Sequence, residues 1–122
     1  MYRPEVFSIA AGASLAEAAL RMQEHHVASL VILDGEEGLA GIITERDLAR
    51  AAAQGREPIS ATVDELMVRD PVTISPSAGL REAAAEMLSL DVRHLPVVLG
   101  RDVLGMLSMR DLMQALVEHE EL

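Results

Sequence analysis

The sequence predicts an α/β fold of the α+β type, built from two copies of one βαββα repeat. The segment Leu15–Met22 recurs 65 residues later as Leu80–Met87. The segment Gly41–Leu48 recurs 64 residues later as Gly105–Leu112. Each copy shows the same order of apolar runs and amphipathic stretches. A repeat this short has helices for only one face of its sheet, so we expect the copies to pack through their sheets with pseudo-two-fold symmetry.

In the second copy, a short strand is predicted at residues 71–74, ended by Ser75-Pro76. A helix follows, because apolar residues recur at helical spacing: Leu80, Ala83, Ala84, Met87 and Leu88. The apolar runs 95–99 and 103–107 flank a turn and predict a hairpin. The last helix is expected from Met109 to about His119.

The first copy follows the same order. Ser14 and Glu17 form a capping-box pattern for a helix over Leu15–His25. Apolar runs at 30–33 and 39–43 predict a second hairpin. Thr44 opens a helix that ends at Gly55, a residue suited to helix termination.

The segment 62–65, a second capping pattern, predicts a short turn through Met67 that leads into the second copy. We place the first repeat with its connector at residues 1–60 and the second at 61–122. At 122 residues the two together form one compact module that can bury a core.

Composition excludes several classes of function. Ten Arg, no Lys and 20 acidic residues give a net charge of −10, which argues against a nucleic-acid surface. The chain has no cysteine, hence no disulfide or thiolate site. No apolar run approaches a membrane span, and the start lacks a secretory pattern. We expect a cytoplasmic protein that does not bind membranes.

One motif carries chemistry: Gly-φ-φ-[Thr/Ser]-x-Arg-Asp, where φ is apolar, at residues 41–47 and 105–111. A helix N-terminus next to a hydroxyl and an Arg suits a phosphate, and a carboxylate suits the two hydroxyls of a ribose. Helix capping alone explains the hydroxyl and the Asp. However, the motif occurs twice and includes an Arg that capping does not need. From the sequence, ligand binding and helix capping are therefore about equally good explanations of the motif.

The chain resembles a tandem pair of cystathionine-β-synthase (CBS) domains over nearly its whole length. The resemblance rests on three features: Leu-x-Glu-Ala-Ala-x-x-Met in both copies, His94-Leu95-Pro96-Val97, and the duplicated motif above. It implies two βαββα units with two clefts between them. Members of the family bind AMP, ADP, ATP, S-adenosylmethionine or NAD-type ligands there, and their modules commonly form disc-like dimers.

The resemblance also implies the site residues. The second cleft would use Val72, Thr73, Ile74, Arg93, His94, Leu95, Pro96, Ser108, Arg110 and Asp111. The first cleft would use Phe7, Ser8, Ile9, Val27, Ala28, Ser29, Thr44, Arg46 and Asp47. The first copy has Ser29-Leu30-Val31-Ile32 where the family pattern has a proline before Val, so the second cleft matches the family better.

Other candidates are weaker. Adjacent His25 and His26 lie on different helix faces and do not form a chelating pair, so we predict no metal site. No hydroxyl has an evident His–Asp pair, so we predict no catalytic residue. We expect a stand-alone sensor, homodimeric, that binds AMP, ADP or ATP, with Mg²⁺ possible beside ATP, and acts on an unknown effector protein. S-adenosylmethionine and NAD(H) fit less well. The alternative is a ligand-free dimerisation or docking module.

Overall fold

The computed structural model describes residues 6–35 and 38–118. Contacts divide the chain into two units: a first unit, Phe7–Pro71, and a second unit from Val72 onward, to which Val6 also belongs. In the part of the chain that is described, no helix is long and apolar enough to cross a membrane.

The first unit is a four-stranded sheet with three helices. Its elements are β1 (Ser8–Ala10), α1 (Leu15–His25), β2 (Ser29–Leu33), β3 (Leu39–Thr44), α2 (Glu45–Ala53), α3 (Val63–Leu66) and β4 (Val68–Arg69). The sheet order is β1-β2-β3-β4. Strand β1 runs parallel to β2, whereas β3 is antiparallel to both β2 and β4. Leu30, Ile32 and Ile43 are fully buried between this sheet and its helices.

Local sequence explains where α1 and α2 begin and end. The Ser14 hydroxyl accepts a 3.1 Å hydrogen bond from the Glu17 N–H, as the capping pattern predicts. Helix α1 ends at His25, and the next residue, His26, has a left-handed backbone (φ 54°) that turns the chain. Gly55, with φ 73°, follows the end of α2 in the same way. The predicted helices and the first hairpin are therefore confirmed.

The segment 61–71 packs with the first unit. Ala61 and Val63 belong to its core cluster, and the Val63 N–H donates to the Ala13 carbonyl at 2.8 Å. The Thr62 N–H donates to Glu65 Oε2 at 2.6 Å, which starts α3 at the predicted turn. Strand β4 then pairs with β3, a strand that the sequence pattern did not predict. The first unit, Phe7–Pro71, thus includes α3 and β4.

Gly41 lies in β3 opposite Arg69 of β4. A Cβ atom placed on it would stand 2.7 Å from Met67 Sδ and 2.7 Å from the Val68 carbonyl oxygen. The second of these atoms is backbone and has no rotamer to change. Glycine at this position is therefore required by packing, because any side chain would push β4 away from β3.

The second unit contains a hairpin and two helices. Its elements are α4 (Leu80–Leu90), β5 (His94–Leu99), β6 (Asp102–Ser108) and α5 (Met109–Glu118). Strands β5 and β6 are antiparallel, with Leu95 opposite Leu107. Met87, Leu107 and Leu112 are fully buried in its core. The predicted helices and hairpin are confirmed here too, although the predicted end of α5 at His119 lies outside the described residues.

The predicted strand at residues 71–74 is wrong. Only Ile74 makes a parallel bridge, opposite Val97. Its N–H donates to the Pro96 carbonyl at 2.9 Å, and its carbonyl accepts from the Val98 N–H at 3.0 Å. Pro71 has no N–H to contribute, and Pro76 ends the stretch two residues after the bridge, so one residue pairs where a strand needs several.

Helices α1 and α4, the first long helix of each repeat, begin with different capping residues. Gly79 occupies the N-cap position of α4, where Ser14 caps α1, and it offers no side-chain cap. We expect Gly79→Ser to raise the free energy of unfolding by a few tenths of a kcal/mol, since serine supplies the missing acceptor. Urea unfolding checks this by its midpoint. An unchanged or lower midpoint would mean that the Gly79 backbone does not allow a capping rotamer.

A duplicated hydroxyl–carboxylate site

In the first unit, the fold brings together the three predicted site segments. Strand β1 lies beside β2, with Ser8 opposite Val31. Strand β2 begins at Ser29, which is buried and lies opposite Thr44, the last residue of β3. The Glu45 N–H donates to the Ala28 carbonyl at 3.0 Å. The segment before β2 is thus hydrogen-bonded to the start of α2, where the motif lies.

The second unit repeats this arrangement. His94 begins β5 and lies opposite Ser108, the last residue of β6. The Met109 N–H donates to the Arg93 carbonyl at 2.7 Å, the same contact as in the first unit in repeat register. The bridge of Ile74 to Val97 brings the third segment alongside β5. Both units therefore hold their hydroxyl residue beside the start of the preceding strand.

The hydroxyl and the carboxylate of each motif form a reciprocal capping box. In the first unit, Asp47 Oδ2 accepts from the Thr44 N–H at 2.8 Å and from the Thr44 hydroxyl at 3.1 Å. The Asp47 N–H in turn donates to Thr44 Oγ1 at 3.4 Å. Asp47 is buried, with 6% of its surface exposed. This box holds the motif rigidly at the strand–helix junction.

The box of the second unit is tighter at the hydroxyl. Asp111 Oδ2 accepts from the Ser108 hydroxyl at 2.7 Å and from the Ser108 N–H at 3.3 Å. The Asp111 N–H donates to Ser108 Oγ at 3.1 Å. Asp111 is half-buried, so its side chain is more accessible than that of Asp47.

Capping uses only part of each carboxylate. Both boxes engage Oδ2 of the aspartate, while Oδ1 is not a member of the box. Asp47 can therefore fix the helix start with Oδ2 and accept a ligand hydroxyl at Oδ1. The N–H groups of the capping residue and of the next residue are already engaged. Each hydroxyl also donates its one proton to the aspartate, so a phosphate at this point would depend on a neighbouring Arg.

The remaining predicted residues divide into three groups by their exposure to solvent. Ile9, Ile74, Leu95 and Pro96 are buried, and three of them belong to the core clusters, so packing already occupies much of their surface. The residues exposed to solvent are Arg46, Val72, Arg93 and Arg110. The half-buried ones are Phe7, Ser8, Val27, Ala28, Thr73 and His94.

One neighbour of the predicted site was not anticipated. The Phe7 ring stacks on the His25 ring, with centroids 4.2 Å apart and an angle of 18° between the planes. The chain passes from α1 to β2 immediately after His25, so this stack lies at the end of α1. An aromatic residue and a histidine 18 positions apart carry no sequence pattern, so only the structure reveals this contact.

The structure also contains a groove between α1 and α2 that no motif indicated. It has a volume of about 570 Å³, and its lining includes Val27 and Ala28 of the predicted site together with Ala19, Gln23, His26 and Glu45. For metals, the described ranges 6–35 and 38–118 hold no group of three histidine, aspartate or glutamate side chains able to bind an ion.

Comparison with known proteins agrees with this architecture. A mitochondrial CBS-domain protein of Arabidopsis thaliana is 37% identical to this chain over 111 residues. The match covers 86% of this chain and 54% of the relative. A solved protein of Burkholderia ambifaria MC40-6, described provisionally as a signal-transduction protein with CBS domains, has a TM-score of 0.89 at 30% identity. That match covers 94% of this chain and 85% of the other.

A third similar structure carries ligands. It is a CBS domain pair solved in complex with 5′-methylthioadenosine and S-adenosylmethionine, with a TM-score of 0.88 and 27% identity over 97% of this chain and 93% of that chain. The chain spans about half the length of the Arabidopsis relative, so that relative contains further sequence. The family profile described as the CBS domain matches residues 1–54 and again residues 63–118. This chain therefore belongs to the CBS-domain family and carries the domain twice.

Proposed function

We propose that this protein is a regulatory sensor that binds an adenosine-type ligand, most favourably AMP, ADP or ATP. The observation that carries the proposal is the duplicated box of hydroxyl and aspartate. In both units the residue after the hydroxyl is hydrogen-bonded to the segment before a strand, β2 in the first unit and β5 in the second. Two such sites in repeat register, each with an Arg between the hydroxyl and the Asp, exceed what capping requires.

The residue chemistry supports a ribose and a phosphate. The carboxylate of Asp47 or Asp111 can accept hydrogen bonds from the two ribose hydroxyls. Arg46 and Arg110 are exposed in the first helical turn, between the two residues of each box, where a guanidinium can reach a phosphate. The related domain pair that holds two adenosine derivatives supports the adenosine part of the ligand. The Arg residues favour a phosphate-bearing ligand over S-adenosylmethionine, and Mg²⁺ would accompany ATP.

The sensor acts by linkage, without catalysis. A ligand that binds one arrangement of the protein more tightly than another shifts the population toward that arrangement. The proposal includes a homodimer, a cytoplasmic location and an effector protein that reads the change. This chain would supply only the sensing step.

The test is thermal unfolding of the purified protein with AMP, ADP, ATP, S-adenosylmethionine or NADH, each with and without Mg²⁺. Ligand at about 100 times its dissociation constant should stabilise the folded state by about 2.7 kcal/mol, a rise of several degrees in Tm. We expect this rise with a phosphate-bearing adenosine ligand. Guanosine monophosphate serves as the control, since its phosphate and ribose are the same.

A second function remains in competition: a ligand-free module for dimerisation or docking. The capping boxes favour it, because capping alone accounts for the positions of both aspartates. Under this alternative no adenosine ligand raises Tm at millimolar concentration. Conversion of ATP to a product during the same incubation would contradict both proposals and indicate an enzyme.

A further inference from the structure

Strand β1 lies at the edge of the first unit's sheet and contacts a side chain of α1. Its ladder to β2 consists of three residue pairs. The Val31 N–H donates to the Phe7 carbonyl at 3.1 Å, so the next carbonyl, that of Ser8, points away from β2 toward the free edge. Arg21 Nη1 donates to this Ser8 carbonyl at 2.7 Å. The arginine thus satisfies a backbone acceptor that lies outside the ladder.

A second residue of α1 contacts the start of β1. His25 lies one helical turn after Arg21, and its ring stacks on the Phe7 ring with centroids 4.2 Å apart. We call Arg21 and His25 the clamp, and we call Phe7 and Ser8 the entry of β1. The clamp holds two consecutive residues of the entry, one through its ring and the other through its carbonyl.

The second unit has different residues at the positions of the clamp. Repeat register places Glu86 and Leu90 there. An ionised carboxylate only accepts hydrogen bonds, so Glu86 cannot donate to a carbonyl, and Leu90 has no ring to stack. Val72, at the entry position of this unit, is 45% exposed. Ile74 forms an isolated bridge to β5 where the first unit has a three-residue strand. The contacts of the clamp are therefore specific to the first unit.

We infer that Arg21 and His25 are positioning residues of the first unit's ligand site, which keep the entry of β1 in place before a ligand binds. The inference rests on the proposed function, since Phe7 and Ser8 belong to the residues expected at that site. A three-residue edge strand is weakly held by its ladder alone, so without the clamp the entry would be displaced for much of the time. A site that is competent for only a fraction of the time binds its ligand more weakly by that fraction.

Hydrogen exchange of single amides tests the clamp without any ligand. The Val31 N–H exchanges when β1 leaves β2, because its acceptor is the Phe7 carbonyl. We expect Arg21→Ala and His25→Ala each to speed this exchange by about three- to tenfold, the factor that one lost contact of this kind produces. Arg21→Lys should restore most of the protection, because an ammonium group can donate to the same carbonyl.

A second amide separates this local effect from a general loss of stability. The Val63 N–H is hydrogen-bonded elsewhere in the same unit, to the Ala13 carbonyl at 2.8 Å. We expect its exchange to change little in the clamp variants. Equal acceleration of the Val31 and Val63 amides, or acceleration of neither, would overturn the inference.

Calorimetric titration with AMP and with adenosine tests the role of the clamp in binding. Both are measured in an Asp111→Ala background, which leaves the first site. We expect Arg21→Ala to weaken both by a similar factor, about three- to tenfold, because a displaced entry affects the site whether or not the ligand carries a phosphate. Arg50→Ala removes an exposed arginine from α2 and is the control for the change in charge.

The two ligands distinguish positioning from direct contact. A loss confined to AMP would show that Arg21 contacts the phosphate, and unchanged binding of both ligands would show that the site does not depend on the clamp. Either result would overturn the positioning role. A wild-type protein that binds neither ligand would contradict the proposed function, whereas the exchange of the Val31 amide would still show whether α1 holds the entry.

Discussion

Replacing Asp111 by alanine is expected to abolish ligand binding in the second unit. The variant loses an acceptor for the ribose hydroxyls, and each hydrogen bond to a charged group contributes about 1.5–3 kcal/mol, so affinity should fall by about 100-fold or more. It also loses the capping box with Ser108, whose removal costs about 0.5–2 kcal/mol of stability. Titration calorimetry measures the affinity, and urea unfolding measures the capping cost.

The control for this variant separates capping from binding. Ser14→Ala removes a comparable cap from α1, because the Ser14 hydroxyl accepts the Glu17 N–H at 3.1 Å. We expect it to lower stability by about 1 kcal/mol and to leave ligand affinity unchanged. If Asp111→Ala binds the ligand as tightly as the wild type, the carboxylate serves only the helix start. The docking module would then be the better description.

Gly41→Ala is expected to lower the free energy of unfolding by about 1–3 kcal/mol, the usual cost of forcing extra volume into a packed site. The new methyl group would lie 2.7 Å from the Val68 carbonyl oxygen and 2.7 Å from Met67 Sδ. The carbonyl is fixed by the pairing of β3 with β4, where Ile42 lies opposite Val68. Relief therefore requires β4 to move. Urea unfolding monitored by circular dichroism measures the loss.

A double variant identifies which contact is responsible. Met67→Ala removes the flexible neighbour of Gly41 but leaves the Val68 carbonyl in place. We expect Gly41→Ala in that background to cost less than alone, yet still to destabilise the protein, and a double-mutant cycle gives the coupling. An unfolding midpoint of Gly41→Ala equal to that of the wild type would show that β4 is not held against β3.

The repeat made most of the fold predictable. Helix α1 was placed to the residue because a capping serine, apolar residues at helical spacing and a chain reversal all agree over Leu15–His25. The two hairpins were predicted because continuous apolar runs flank glycine-containing turns. The capping boxes of Thr44 and Ser108 were also predictable, because they form within four residues of sequence.

The structure differs from the sequence prediction where contacts between residues far apart in the sequence determine it. Residues 71–74 have the composition of a strand, but pairing depends on how the chain meets β5, and only Ile74 does so. Strand β4 has two residues, and it exists because the packing of Val63 brings the chain back to β3. Neither event leaves a periodic pattern in the sequence.

The sequence by itself determined the duplicated fold, the family and the chemical character of the motif, since each depends on residue types at short, repeated spacing. Only the tertiary structure decided that Ala28 and Arg93 are hydrogen-bonded to the motif helices, and that each aspartate gives one oxygen to its cap. It alone showed the groove between α1 and α2 of the first unit. Such features depend on which surfaces the folded chain leaves exposed, and local patterns do not encode that.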